Sequence, residues 1–168
     1  MNGPHAWCAF HAADATFGVA VDRVQEIVRE AAIARTPIAP TAIAGLMNLR
    51  GRLVPVIDLR TLFARPARDP EAATFHVIVR DGDDHVSLLV DRIVGVHRAP
   101  DGVLEPLSEA IGEPHTALVT GVRPHGDDML LVLDLDALFD HAFRPSSLPH
   151  RTTATPPGPL TITQEYSS

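Results

Sequence analysis

The chain repeats itself. Val21-Asp22-Arg23-Val24 returns 69 positions later as Val90-Asp91-Arg92-Ile93. Val56-Ile57-Asp58-Leu59 returns 76 positions later as Val132-Leu133-Asp134-Leu135. At that same spacing Leu62-Phe63 returns as Leu138-Phe139, and Gly45 as Gly121. Similar words kept in order at a shared spacing indicate a duplicated unit, not a chance recurrence of apolar residues. The expected molecule is therefore the same β unit built twice, as two small barrels packed with pseudo-twofold symmetry and a longer loop in the second copy.

The unit is best read in the stretch Ile43 to Leu59. One apolar run leads into Asn48, Arg50 and Gly51, and a second run ends at Asp58. Two strand-like runs around a polar, glycine-containing turn predict a β-hairpin. Gly51 supplies the backbone freedom that the reversal needs, and Arg50 stands at the tip, free to reach solvent or a partner. Pro55 has no N–H for a ladder, so its strand is at an edge or bulged there.

Composition excludes several classes. Hydrophobic residues make up 45% of the 168, enough for a sizeable core, while aromatics are 5%, so aliphatic residues must fill it. The formal net charge of −7 speaks against a nucleic-acid partner, which would call for a basic surface. All 14 cationic residues are arginine, so a P-loop lysine and a Schiff-base lysine are both excluded. A single cysteine, Cys8, cannot form an internal disulfide. The start of the chain reads as lacking a secretory leader, and no apolar run reaches membrane-spanning length. The expectation is a cytoplasmic protein with no direct membrane insertion.

Along the chain, strands are expected over Trp7–His11, Thr16–Val21 and around Glu26–Val28, with a tight turn at Asp22–Val24. Prolines 37 and 40 interrupt regular structure before the Ile43 hairpin, and Leu59–Arg65 reads as a short helix. Pro66–Ala73 reads as a linker between halves. Further strands follow at Thr74–Arg80, His85–Val90, Ile93–Ala99, Thr116–Val122 and Met129–Leu135, with a long loop over Pro100–His115. Asp136 is placed to cap a helix ending at Phe143. From residue 144 Pro, Ser and Thr dominate, and such a segment cannot offset its ordering entropy by burial, so disorder is expected.

These residues carry a resemblance. Val24-Gln25-Glu26-Ile27, Asn48-Leu49-Arg50-Gly51, Val54-Pro55-Val56-Ile57-Asp58-Leu59 and Val90-Asp91 occur in the order found in the CheW-like coupling proteins of bacterial chemotaxis. The chain resembles that family over roughly Trp7 to Phe143. The resemblance implies an all-β fold of two five-stranded SH3-like barrels with a few short helices. It also implies no catalysis and no cofactor, but a scaffold joining the cytoplasmic tip of a methyl-accepting chemoreceptor to the regulatory domain of a CheA-type histidine kinase. The CheW-like domain is then residues 1–143, with a first barrel at about 7–65, a linker at 66–73, a second barrel at about 74–143, and the tail at 144–168. Receptor binding is implied for Val24, Glu26, Gly45, Asn48, Arg50 and Gly51. Strand edges and exposed aliphatic residues are left for the kinase.

The repeat tests that assignment from within. By the two spacings Glu26 maps to Gly95 and Arg50 to Gly126. What both copies keep belongs to the fold; a charge pair in only one copy points to function. The plainer reading is two solvated turn charges. Arginine suits recognition, because its planar fork stays charged and grips carboxylates. Asp22, Asp58, Asp91 and Asp134 recur in both copies after strands and read as caps rather than acid–base pairs. Nine histidines show no zincin spacing, so no metal is expected. Ser87 lacks a nucleophile elbow, and Cys8 reads as a small buried hydrophobe. A small β-barrel enzyme or ligand carrier is the alternative, and it would require a polar cluster in a pocket.

Overall fold

The computed structural model describes residues 5–36, 43–107 and 116–143. Ten strands, here β1 to β10, run His5–Ala12, Ala15–Ala20, Val24–Arg29, Ile43–Leu49, Arg52–Asp58, Phe75–Asp81, Asp84–Val90, Arg92–Ala99, Val119–His125 and Asp128–Leu133. Helix α1 spans Leu59–Leu62, between β5 and β6, and α2 spans Leu135–Phe143, after β10. The strands form two five-stranded sheets, ordered β8-β1-β2-β10-β9 and β3-β6-β7-β5-β4.

The sheet composition corrects the division into a first barrel at 7–65 and a second at 74–143. Each sheet takes strands from both halves of the chain. β3 to β7 form what we term the central barrel; β1, β2, β8, β9 and β10 form the terminal barrel. The chain crosses from terminal to central at the 3₁₀ turn Val21–Arg23, and back at Asp91. Residues 66–73 are consequently not a link between barrels, because they join α1 to β6 and both flanking strands, β5 and β6, lie in the central sheet. The reason is physical: a hairpin's residue pattern tells which face is buried, but not which sheet its edge will join.

The duplication itself holds to the residue. β5 pairs in parallel with β7 through Val56↔Ser87, and β10 with β2 through Val132↔Gly18. Gly45↔Val56 on β4–β5 matches Gly121↔Val132 on β9–β10. A bulge sets Glu26 opposite Ile78 in one barrel, and a bulge sets Gly95 opposite Ala9 in the other. Each sheet closes on itself in the same way. The chain leaving β3 bridges to β4 at Ala34↔Leu46, and the chain leaving β8 bridges to β9 at Glu105↔Val122. At these closures the backbone comes too near for a side chain. A Cβ on Gly45 (φ 151) would meet the Ala34 carbonyl oxygen, and one on Gly121 would sit 2.8 Å from that of Glu105. Pro55 lies one residue before the β5–β7 ladder begins, so its missing N–H breaks no bond there.

The main core lies between the sheets. Phe10, Phe17 and Val19 from the terminal sheet meet Val77, Val79, Val86 and Leu88 from the central one, with Leu62, Phe63, Leu138 and Phe139 closing the ends. Cys8 is buried in this layer. Smaller apolar groups fill the barrel interiors: Trp7, Ala9, Leu130 and Val132 in the terminal barrel, and Met47, Val54, Val56, Ile78 and Leu89 in the central one.

Two of the four recurring aspartates cap helices as expected. Asp58 Oδ1 accepts from Arg60 N at 3.0 Å, and Asp134 Oδ1 from Ala137 N at 3.1 Å. Asp134 thus caps α2, while Asp136 sits inside its first turn. Asp22 makes no cap bond. Asp91 is no cap either, because a strand follows it. The proposed disordered tail, residues 144–168, lies outside the described residues, as do 37–42 and 108–115.

Candidate functional site

The β4–β5 hairpin reverses over Arg50 (φ 53) and Gly51 (φ 85). Positive φ at both central residues is the turn whose twist matches the flanking strands. Asn48 fixes it: its Oδ1 accepts from Gly51 N at 2.8 Å. Arginine is rarely found in this left-handed region, where a side chain costs about 1 kcal/mol relative to glycine. The equivalent turn of the terminal barrel has Gly126 (φ 62) at that position. The central hairpin therefore keeps a strained arginine where a glycine would fit without cost.

The arginine reaches across the barrel to β3. Arg50 Nη2 donates to Glu26 Oε2 at 3.0 Å. The Glu26 side chain is 22% exposed and that of Arg50 77% exposed, so a mostly buried acid holds a cation presented to solvent. The bulge beside Glu26 aims it there. The structure thus brings Glu26, Asn48, Arg50 and Gly51 to one end of the central barrel. Val24 opens β3, packs against the main core and has Ile93 as its counterpart. Gly45 is buried under Ala34. Those two shape the strands that carry the pair; they do not face solvent as the pair does. Sequence reasoning overlooked Leu53, which is 65% exposed and stands opposite Asn48 on the hairpin. Its signal was present: Leu53 sits where strand alternation puts a solvent-facing residue, and its counterpart Met129 is exposed too.

A second charged cluster escaped the sequence altogether. Asp91 accepts from Arg60 Nε at 2.9 Å and Nη2 at 2.7 Å, from Arg68 Nε at 3.1 Å, and from Ala13 N at 2.6 Å. Arg68 also forks onto both oxygens of Asp58, at 2.9 and 3.0 Å. Burial alone would raise the Asp91 pKa, but Arg60, the Ala13 amide and Arg68 outweigh it and hold the carboxyl below its ordinary range. The cluster ties the β1–β2 turn of one barrel to α1 of the other. Its members lie up to 78 residues apart, beyond any local motif.

An open cleft of about 850 Å³ runs past Arg35, Thr36, Thr61 and Thr74 and includes Asp58 and Arg68. Of the charged groups lining it, Asp58 and Arg68 are bonded to each other as a structural ion pair. Among the described residues there is no group of three or more His, Cys, Asp and Glu side chains that could hold a metal ion. Nor is any described helix long and apolar enough to cross a membrane.

Comparison with known proteins agrees with this architecture. The family described as CheW-like domain matches residues 7–143. The chemotaxis protein CheW of Klebsiella aerogenes is 30% identical over 122 residues, covering 73% of this chain and 74% of that one. Its counterpart in Helicobacter pylori is 25% identical over 130 residues, covering 77% and 78%. The crystal structure of the scaffolding protein TtCheW from Thermoanaerobacter tengcongensis superposes with a TM-score of 0.71 at 28% identity, covering 80% of this chain and 87% of that one. With two duplicated five-stranded sheets, and a match from β1 to the end of α2, this chain belongs to the CheW-like family of chemotaxis scaffold proteins.

Proposed function

We propose that the protein couples the cytoplasmic tip of a methyl-accepting chemoreceptor to the regulatory domain of a CheA-type histidine kinase, in the cytoplasm and by binding alone. The carrying observation is the Arg50–Glu26 pair, built by one barrel at positions where the other has two glycines. Glu26 holds the guanidinium, and the remaining N–H groups of Arg50 face outward to a helical tip. The receptor surface comprises Glu26, Asn48, Arg50 and Gly51, with Val24 and Gly45 setting the strands beneath. Exposed aliphatic residues at the hairpin ends, Leu53 and Met129, and the strand edges outside the two closing bridges serve the kinase. As an exposed pair, Arg50–Glu26 contributes only about 0–1 kcal/mol to folding. Once a partner removes water from it, truncating one side costs on the order of 2–5 kcal/mol of binding.

The test is Arg50→Glu, which sets two acids against each other. The variant should give a native circular dichroism spectrum and still pull down the kinase, but lose receptor-dependent control of phosphorylation. An unfolded variant would make Arg50 structural. A folded variant that still couples receptor to kinase would place the receptor site elsewhere.

A further inference from the structure

His97 on β8 and His125 on β9 meet across the closure of the terminal barrel, Nδ1 to Nδ1 at 3.0 Å. Their rings stand edge to face at 4.9 Å. By the repeat spacings the same two places in the central barrel are Val28 and Leu49, both packed against that barrel's apolar interior. Beside its backbone bridge one closure thus carries an apolar pair and the other a pair of titratable rings.

A ring-to-ring bond of this kind needs one nitrogen bare. His97 Nε2 is buried and has no hydrogen-bond partner among the described residues. The arrangement of least cost has His97 donating from Nδ1, with Nε2 bare, and His125 accepting at Nδ1. An added proton has no good place. On His125 Nδ1 it sets two N–H groups against each other; on His97 Nε2 it buries an unpaired donor. Around His97 itself the surroundings do not help. Arg123 on β9 lies beside Trp7 of β1, whose ring is 6.0 Å from that of His97. Asp101 is occupied by Arg123 at 2.8 Å. His5 stacks on Trp7 and Arg98 is exposed; Asp128 is an acid across the ladder from His125, whereas the residue across from His97 is Trp7. Burial, then His125 and Arg123, push the His97 pKa down.

We infer that the His97–His125 contact is a pH-sensitive latch, which holds the terminal barrel closed at neutral pH and releases β8 from β9 in mild acid. This goes beyond the coupling function and does not depend on it. The sign follows from the lowered pKa of His97. The opened state binds a proton that the closed state refuses, so closure is fully stable above about pH 6.5, the ordinary imidazole value, and weakens as pH falls below it.

The sister barrel supplies the control, His97→Val/His125→Leu. Amide-exchange protection would be measured by NMR at a series of pH values from 7.5 to 5.5. In the wild type, protection of the Glu105 and Val122 amides, which bond to each other across the closure, should fall by up to about tenfold per pH unit below about 6.5, as one proton is taken up on opening. Protection of the Ala34 and Leu46 amides, which bridge the central closure, should stay constant, and the double variant should be flat at both closures. Wild-type protection independent of pH, an equal loss at both closures, or a double variant that keeps the loss would each overturn the latch. Should the double variant fail to fold, the wild-type imidazole titrations decide: His97 titrating at an ordinary value, independent of His125, overturns the proposal, and a lowered, coupled titration sustains it.

Discussion

Val28 and Leu49 stand at the closure of the central barrel, while His97 and His125 stand at that of the terminal one. Trp7 fills the terminal interior where the central barrel buries His76, bonded to Ser87 Oγ at 2.8 Å. At the hairpin tip the central barrel has Arg50 and the terminal barrel Gly126. At the two crossings the helix charge is reversed, and the partner shifts by one residue, from the Asp91 position to the one after it. Arg60 of α1 meets Asp91, whereas the counterpart of Arg60 is Asp136, which meets Arg23 at 3.3 Å. Backbone register is the same throughout these pairs. The comparison teaches that register, bulges and close-approach glycines suffice to specify the frame. Every difference between the barrels is then left over from the frame: a charge pair at one tip, a histidine pair at one closure, and the Asp91 clasp at one crossing.

The largest effect should come from breaking what the barrels share. Gly45→Ala places a side chain against the Ala34 carbonyl at a φ of 151, and should cost roughly 3 kcal/mol or more. Gly121→Ala meets the Glu105 carbonyl without that backbone penalty and should cost less, about 1–3 kcal/mol. Urea unfolding of both variants orders them. Equal and negligible costs would show that the closures are looser than the structure has them.

Next comes the crossing. Asp91→Asn leaves Arg60 and Arg68 without their shared acid, and the side chains involved are only 12–20% exposed. The cost should be about 1–3 kcal/mol, between the ranges for exposed and buried pairs. Because the folded Asp91 carboxyl has a lowered pKa, its contribution is complete above about pH 4, its ordinary value, and disappears as pH falls through the lowered one. The gap between wild type and variant should accordingly close in strong acid. At the sister crossing Arg23→Ala, whose partner Asp136 is 79% exposed, should cost at most about 1 kcal/mol.

The smallest change in stability should come from making the tips alike. Arg50→Gly installs the sister residue; the relief of its left-handed backbone and the loss of its ion pair oppose each other, each at about 1 kcal/mol or below. Thermal unfolding should scarcely move while receptor-dependent kinase control is lost. A large stability change would make the arginine a structural part of the hairpin.

Much of this frame was legible in the chain because repeated words preserve spacing, and spacing preserves register. Glu26↔Ile78 and Gly95↔Ala9 are the same bulge seen twice. The Arg50 tip was legible because turn chemistry is local. The exchange of strands was not, since alternation reveals a buried face and never the identity of the neighbouring strand. The Asp91 cluster and the histidine contact joined residues that only the fold brings together, so neither left a pattern along the chain. Capping by Asp134 rather than Asp136 differs by two residues, within the ordinary imprecision of helix starts.

The exchanged strands also set an order of assembly on the ribosome. All five strands of the central barrel are contiguous and are complete once Val90 has emerged. The terminal barrel has its first hairpin synthesised at the outset, yet β10 ends only at Leu133. At typical translation speeds the intervening stretch takes on the order of 2–10 s. Throughout that interval Phe10 and Phe17 can find the central sheet but not their own closing strands. The nascent chain therefore carries a half-built barrel resting on a finished one, and the last strands made are the ones that complete the first.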